Sequence, residues 1–318
     1  QTTIEQEIGT VRGNYDAIKA CAKDMLRNAR QNKDVDAAAV TKVVVPLVAS
    51  AVRNADALVY FTHLRHKTEY TLLHSVRVCL LSLAFGRHLG LSIADLITLG
   101  TGALLHDIGK TKVPQEILEK AGSLTPEEFE EAKKHVQAGV QILRHTVGIP
   151  AIAVDVARYH HERHDGSGYP HRLTKSQIPY LGQIGAIVDC YDALTSDRSY
   201  APAIAGHAAL QKIYGSRDQL FDAKLVEQFI QCMGIYPIGG VVELNSGDVG
   251  VVVSVNRARR LKPRIRLVLR PDKSRYRPPK TVNLMQPDAS QPLEIERVLE
   301  PGAYGIRPAD YLRITAHH

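Results

Sequence analysis

The sequence predicts a mostly α-helical protein that ends in a small antiparallel β unit. Three observations carry this. Between residues 60 and 233, apolar residues recur almost throughout at helical spacing, with cap signals between the runs. After Met233 the pattern changes to short β-branched runs separated by turn residues. The length of 318 residues, at about 150 per domain, allows roughly two domains. Hydrophobic residues at 44% and charged residues at 23% are ordinary for a globular chain and too apolar for a disordered one.

The elements follow in order. Ile4, Ile8, Val11, Tyr15, Ile18, Ala22, Met25 and Ala29 form a heptad seam, weakened by Gly9 and Gly13. Two uses of the seam stand open: a parallel dimerising helix over 4–29, or an amphipathic helix lying on its own domain. A second helix is expected over 35–53, bent or broken near Pro46. Helices are then expected over 68–87 and 93–105. Thr125-Pro126-Glu127-Glu128 is a capping box with proline at the first helical position, opening a helix to about residue 144. Pro150 opens another that ends in Tyr159-His160-His161. Residues 165–170, Asp-Gly-Ser-Gly-Tyr-Pro, must be a loop, and 184–194 is helical again. Strands are expected at 241–244, 249–255, 265–269 and 281–284, and the alternation through 264–270 sets arginines on one face against aliphatics on the other. The division is therefore residues 1–59, a helical N-terminal segment; 60–236, a helical domain; and 237–318, a small basic β-rich unit with its tail.

Composition removes several function classes. No run approaches the roughly 18 apolar residues of a membrane span; the longest is interrupted by Arg53, Asn54 and Asp56. The opening residues show no basic stretch followed by an apolar one, so no signal peptide is expected. Cys21, Cys79, Cys190 and Cys232 are widely spaced, with no C-x-x-C pair, which predicts buried thiols in a reducing cytoplasm. The net charge of +7 belongs to one segment: 257–280 holds eleven Arg or Lys against Asp272, a local +10, so the rest carries about −3. Within it Tyr276 is the one aromatic, so a nucleic-acid partner is not expected. The segment reads as a solvated face, or as an attractor of an anionic substrate or acidic partner.

Chemistry is concentrated in the helical body. His106-Asp107 ends an apolar helix and runs into Ile108-Gly109-Lys110. His135 lies mid-helix with Gly139 one turn on, His160-His161 ends a third helix, and His74 and Asp189 sit within two more. Such groups are poor core material without a partner. Neutral imidazoles and carboxylates are ligands for Fe, Mn, Zn or Ni, and no thiolate is placed to favour a structural zinc site. Asp192, three residues after Asp189 on nearly the same helix face, is a candidate for orienting a ligand or the lysine. Glu162 and His164 fit supporting roles better than ligand roles.

Three stretches in this order resemble the HD-GYP phosphodiesterases of the HD metal-hydrolase superfamily. They are His106-Asp107-Ile108-Gly109-Lys110, then His160-His161-Glu162-Arg163-His164-Asp165-Gly166-Ser167-Gly168-Tyr169-Pro170, then 189–198, from Asp189 through Asp192 to Arg198. The resemblance covers roughly residues 65–235 and implies an HD-type helical bundle that hydrolyses cyclic di-GMP to linear pGpG and in some members on to GMP. It implies one metal held by His74, His106, Asp107 and Asp189, with Asp107 bridging to a second held by His135, His160 and His161. Two cations about 3.5–4 Å apart would activate a hydroxide for in-line attack. Lys110 and Arg198 would hold phosphate oxygens, and Tyr169 would border the site, where its loop could also dock a signalling partner.

Two departures from the family pattern matter. Three-metal members carry Glu four residues before the first metal-binding His, where this chain has Tyr70; Glu69 points about 140° away from His74 at about 100° per residue. Two metals, Fe or Mn with Zn or Ni as substitutes, are therefore expected. The family usually places Arg or Lys where this chain has Ala201, which should loosen the grip on the dinucleotide. The leading expectation is thus a cytoplasmic cyclic di-GMP phosphodiesterase. Its alternatives are a catalytically weak or inactive cyclic di-GMP receptor, and an HD hydrolase of another phosphorylated nucleotide.

Overall fold

A computed structural model describes residues 4–63, 70–197, 202–256, 259–286 and 292–312. The helices are α1 (Ile4–Arg30), α2 (Ala37–Phe61), α3 (Tyr70–His88), α4 (Ile93–Leu105), α5 (Gln115–Leu118), α6 (Pro126–His145), α7 (Ala151–Tyr159), α8 (Tyr180–Thr195), α9 (Gly206–Gly215), α10 (Ala223–Met233) and α11 (Pro308–Leu312). The strands are β1 (Val241–Leu244), β2 (Val249–Ser254), β3 (Arg264–Leu269), β4 (Arg275–Asn283) and β5 (Ile295–Leu299). They form one antiparallel sheet in the order β4-β3-β2-β1-β5. The mostly helical body with a small antiparallel sheet at its end is the architecture the sequence predicts.

The heptad seam of α1 is consumed inside the chain. Ile8, Val11, Tyr15, Ile18, Ala22, Met25 and Ala29 are all buried in the core, where α1 packs on α2, α3 and the turn after α4. The dimerising alternative for 4–29 is therefore corrected: the stripe that would face a partner copy faces the protein's own helices. Arg53 reinforces this packing by donating Nε and a guanidinium amine to the two oxygens of buried Glu7, at 2.8 and 2.6 Å.

A second correction concerns α2. The helix runs through Pro46, and its non-helical backbone lies at Asn54 (φ −159°, ψ 98°). There the Asn54 Oδ1 accepts from the Asp56 amide at 3.1 Å, a local turn that restarts the helix. By length and composition α2 is also apolar enough to cross a membrane, which the broken apolar run did not predict. Its inner face, including Val40, Val44, Leu47, Ala51 and Leu58, is buried in the core, where α1, α3 and α4 pack on it.

The same core continues into one face of the sheet through Val241, Val249, Val251 and Val268. A second cluster, Val242, Leu244, Val252, Ile265 and Leu267, fills the other face. The helices that carry the chemistry, α3, α4, α6, α7 and α8, are packed directly on one another, and that mutual packing brings distant residues to one point.

Candidate metal centre

The centre is assembled from helix ends. Ser92 caps α4, its side chain accepting from Asp95 N; the helix then runs as an apolar rod to His106, its C-cap. Past it the chain turns through a tight helical turn, Ile108–Lys112, against α6. That contact requires glycine: a Cβ on Gly109 would lie 1.9 Å from the His135 carbonyl oxygen and 2.4 Å from Gly139 N. The close approach sets Asp107 beside His135. The predicted capping box of α6 is present, with Thr125 and Glu128 bonding each other's backbone amides. His160 is the C-cap of α7.

Seven predicted residues converge. Asp107, His135, His160 and His161 form one group whose ligand atoms lie within 4.8 Å of one another, and His74, His106 and Asp107 form a second. Asp107 belongs to both, and its two oxygens divide the work. Its Oδ2 faces His106 Nε2 at 3.3 Å and His74 Nε2 at 3.4 Å; its Oδ1 faces His135 Nε2 at 3.5 Å and His160 Nε2 at 3.8 Å. Asp189 lies outside both compact groups but spans them, with Oδ1 3.0 Å from His74 Nε2 and Oδ2 4.0 Å from His161 Nδ1.

The hydrogen bonds select the free lone pairs. The Nδ1 atoms of His106, His135 and His160 lie 2.8, 2.7 and 2.9 Å from the carbonyls of Ala103, Ala132 and Ala157. A carbonyl only accepts, so Nδ1 carries the proton and Nε2 keeps its lone pair. Those three Nε2 atoms and Asp107 Oδ1 are buried with no hydrogen-bond partner among the described residues. Buried polar atoms are otherwise nearly always satisfied, so four orphaned acceptors aimed at one space fit a cation. Nitrogen and oxygen donors in this mix suit Fe, Mn, Zn or Ni.

Electrostatics agree. Burial, then the neighbouring His106, pushes His160 down to about 3; burial likewise lowers His135 and takes His161 well below the usual imidazole range. These imidazoles are neutral at pH 7, as metal ligands must be. Burial alone would raise Asp107, but Lys110 and His106 outweigh it and hold its carboxyl well below the usual range. Burial would also raise Asp189, and the His74 hydrogen bond and charge overcome it.

His74 is held differently. Its Nδ1 donates to Asp192 Oδ2 at 2.7 Å, and Arg77 grips the same carboxylate with Nε–Oδ1 at 2.7 Å and Nη2–Oδ2 at 3.1 Å. Asp192 thus orients a histidine, one of the two roles expected of it. Arg77 was not foreseen. The available signal was a lone arginine in the otherwise apolar run of α3, which cannot be buried without an acid.

The remaining candidates fall around this centre. Lys110 Nζ bonds Asp107 Oδ2 at 2.5 Å. Tyr169 stacks on His161, with centroids 4.6 Å apart and planes at 29°. Its amide donates to the His161 carbonyl at 3.1 Å, and Glu162 ties the loop down by accepting from the amides of His171 and Leu173 at 2.7 and 2.9 Å. His164 pairs with Gln183 of α8 at 3.1 Å, so neither His164 nor Glu162 is turned to the centre as a ligand. Arg198 and Ala201 lie outside the described residues, and so does Glu69; of Tyr70, the backbone opens α3.

Residues 61–225 match the HD domain family, and residues 241–303 match a KOW domain associated with the HD domain. A cyclic di-GMP phosphodiesterase of Pseudomonas aeruginosa is 38% identical over 267 residues, covering 84% of this chain and 64% of that protein. A cyclic di-GMP phosphodiesterase of Thermotoga maritima is 39% identical over 159 residues, 50% of this chain and 43% of that protein. A 3′3′-cGAMP-specific phosphodiesterase of Vibrio cholerae is 36% identical over 159 residues, 50% of this chain and 30% of that protein. The chain therefore spans less than two thirds of these relatives. An HDG"Y"P protein from Bdellovibrio bacteriovorus has a solved structure that superposes with a TM-score of 0.57 over 68% of this chain and 69% of that one, at 20% identity, which establishes a shared fold.

Proposed function

The chain belongs to the HD-domain family, and from that premise we propose that it is a metal-dependent phosphodiesterase that opens cyclic di-GMP to linear pGpG. The observation that carries this is the pair of ligand groups sharing Asp107, in a chain similar to phosphodiesterases of cyclic di-GMP. His74, His106, Asp107 and Asp189 would hold one metal, and Asp107, His135, His160 and His161 the second. Two bound cations supply Lewis-acid polarisation of the phosphodiester and lower the pKa of a water for in-line attack.

The rest falls to the protein. Backbone carbonyls fix three imidazoles as one tautomer, and His135 and His160, lowered by burial, need no proton loss at pH 7 before they bind. Asp192, itself gripped by Arg77, fixes the tautomer of His74. Burial of the centre strengthens every charge interaction within it. His161 and Lys110, at 19% and 25% side-chain exposure, mark the open side, and substrate approaches there. Lys110 then offers its ammonium to a phosphate oxygen as a point charge, and Arg198 is assigned the same task. A signalling partner docking on the loop would meet its exposed Asp165 and Ser167, since Tyr169 is turned onto His161. We place the reaction in the cytoplasm, in keeping with four widely spaced cysteines and no C-x-x-C pair.

The test is chromatography of anaerobically purified protein incubated with cyclic di-GMP. The proposal expects pGpG to accumulate, with GMP following if the second bond is also cut. Bound, unchanged cyclic di-GMP would favour the receptor reading. Turnover confined to 3′3′-cGAMP would favour another nucleotide as substrate.

A further inference from the structure

One exposed aromatic beside the metal centre is unused by the chemistry above. The inward row of α6 runs through Leu143, Gly139, Val136 and His135, and seven residues before Val136, two turns towards the N-terminus, it reaches Phe129. There the row overhangs the body, and Phe129 keeps 45% of its surface exposed. It meets the Tyr169 ring edge-on, with centroids 6.1 Å apart and planes at 84°. Lys133, one turn on, sets its Nζ 4.6 Å from the Phe129 centroid and 5.5 Å from the Tyr169 centroid. Two ring contacts, Phe129 to Tyr169 and Tyr169 to His161, thus lead from the surface to the most exposed histidine of the centre.

We propose that Phe129, Tyr169 and Lys133 form a shelf that takes a guanine base of the substrate; this rests on the phosphodiesterase reading above. Every base has a π-face, so an exposed aromatic can take one by stacking. A single exposed ring is far too small for protein docking but matches one base. Lys133 adds selectivity, because guanine presents two adjacent acceptors, O6 and N7, whereas adenine sets a donor beside N7. The acidic start of α6 does not repel an anionic ligand at full strength. Glu130 pairs with Lys133 at 2.6 Å, Glu128 with Lys120 at 2.5 Å, and Glu131 with Lys134.

The experiment measures kcat and KM for cyclic di-GMP, together with metal content, in the metal-loaded wild type and in Phe129→Ala, Phe129→Trp and Lys133→Met. Cyclic di-AMP serves as a competing ligand. Phe129 is exposed, so its replacement spares the core. Phe129→Ala should raise KM about tenfold with the loss confined to KM and metals retained, and Phe129→Trp should restore it. Lys133→Met should raise KM for cyclic di-GMP while leaving inhibition by cyclic di-AMP unchanged. An unchanged KM in Phe129→Ala, a loss of metal in that variant, or equal effects of Lys133→Met on both nucleotides would overturn the shelf and leave the activity standing. Metal-loaded wild type without turnover would overturn both.

Discussion

Replacing Asp192 by Leu tests how the centre is oriented. The carboxylate accepts from His74 Nδ1 at 2.7 Å and from Arg77 at 2.7 and 3.1 Å, and all three residues are buried. Leucine fills the space but offers no acceptor, so Arg77 loses its carboxylate inside the protein. Breaking a buried pair in this way costs about 3–5 kcal/mol. His74 at the same time loses the bond that fixes its tautomer. Removal of such an orienting group typically weakens metal binding 10–100-fold, which is about 1.4–2.7 kcal/mol. The two costs separate in the double variant Arg77→Met/Asp192→Leu. With the cation gone, most of the stability should return, whereas metal affinity should stay reduced, because the bond that Asp192 makes to His74 Nδ1 is not restored. Urea denaturation of the metal-free proteins and competitive metal titration with a chelator read the two quantities. Wild-type metal affinity in the double variant, or a single variant as stable as wild type, would refute the reasoning.

Gly109→Ala should displace the turn after α4, since its Cβ would lie 1.9 Å from the His135 carbonyl; a loss of about 1–3 kcal/mol or more with weakened metal binding is expected, and unchanged stability and occupancy would contradict it. Metal-free protein should lose stability as pH falls. His160 titrates at about 3 when folded, against 6.5 when unfolded, so between those values the unfolded chain binds the extra proton. This contribution is complete above pH 6.5 and declines towards pH 3, by up to about 1.4 kcal/mol per pH unit. His135 and His161 are lowered too and act in the same direction. His74 is raised and acts oppositely, giving stability that is lost as pH rises through its folded value. Urea midpoints at pH 7.5, 6 and 5 read the balance, and a midpoint that rises towards pH 5 would contradict it.

Most of the centre was legible because its residues stand at helix ends in an unusual order, and the helices announce themselves by period and caps. What stayed hidden depended on partners far along the chain. The α1 seam had the right period for either use, and only the burial of Val11 and Ile18 against the chain's own core decides between them. The first half of β4, Arg-Tyr-Arg-Pro-Pro-Lys, was not read as strand because it is charged and carries two prolines. It lies at the sheet edge, where both are tolerated. β5, Ile295–Leu299, was missed for a related reason: at the opposite edge its Glu296 and Arg297 are exposed, which breaks the apolar run. Arg77 and Phe129 have no place in the motifs, and their meaning came from what lies beside them.

Counting the metal ions bound per chain in anaerobically purified wild type and in Asp107→Ala is the most direct measurement. A carboxylate shared by both ligand groups predicts two ions per chain in the wild type and none in the variant. Circular dichroism should be unchanged, because Lys110, at 25% side-chain exposure, can turn to water when the carboxylate is gone. A variant that keeps both ions, or a wild type that binds one and loses nothing on substitution, would contradict the account.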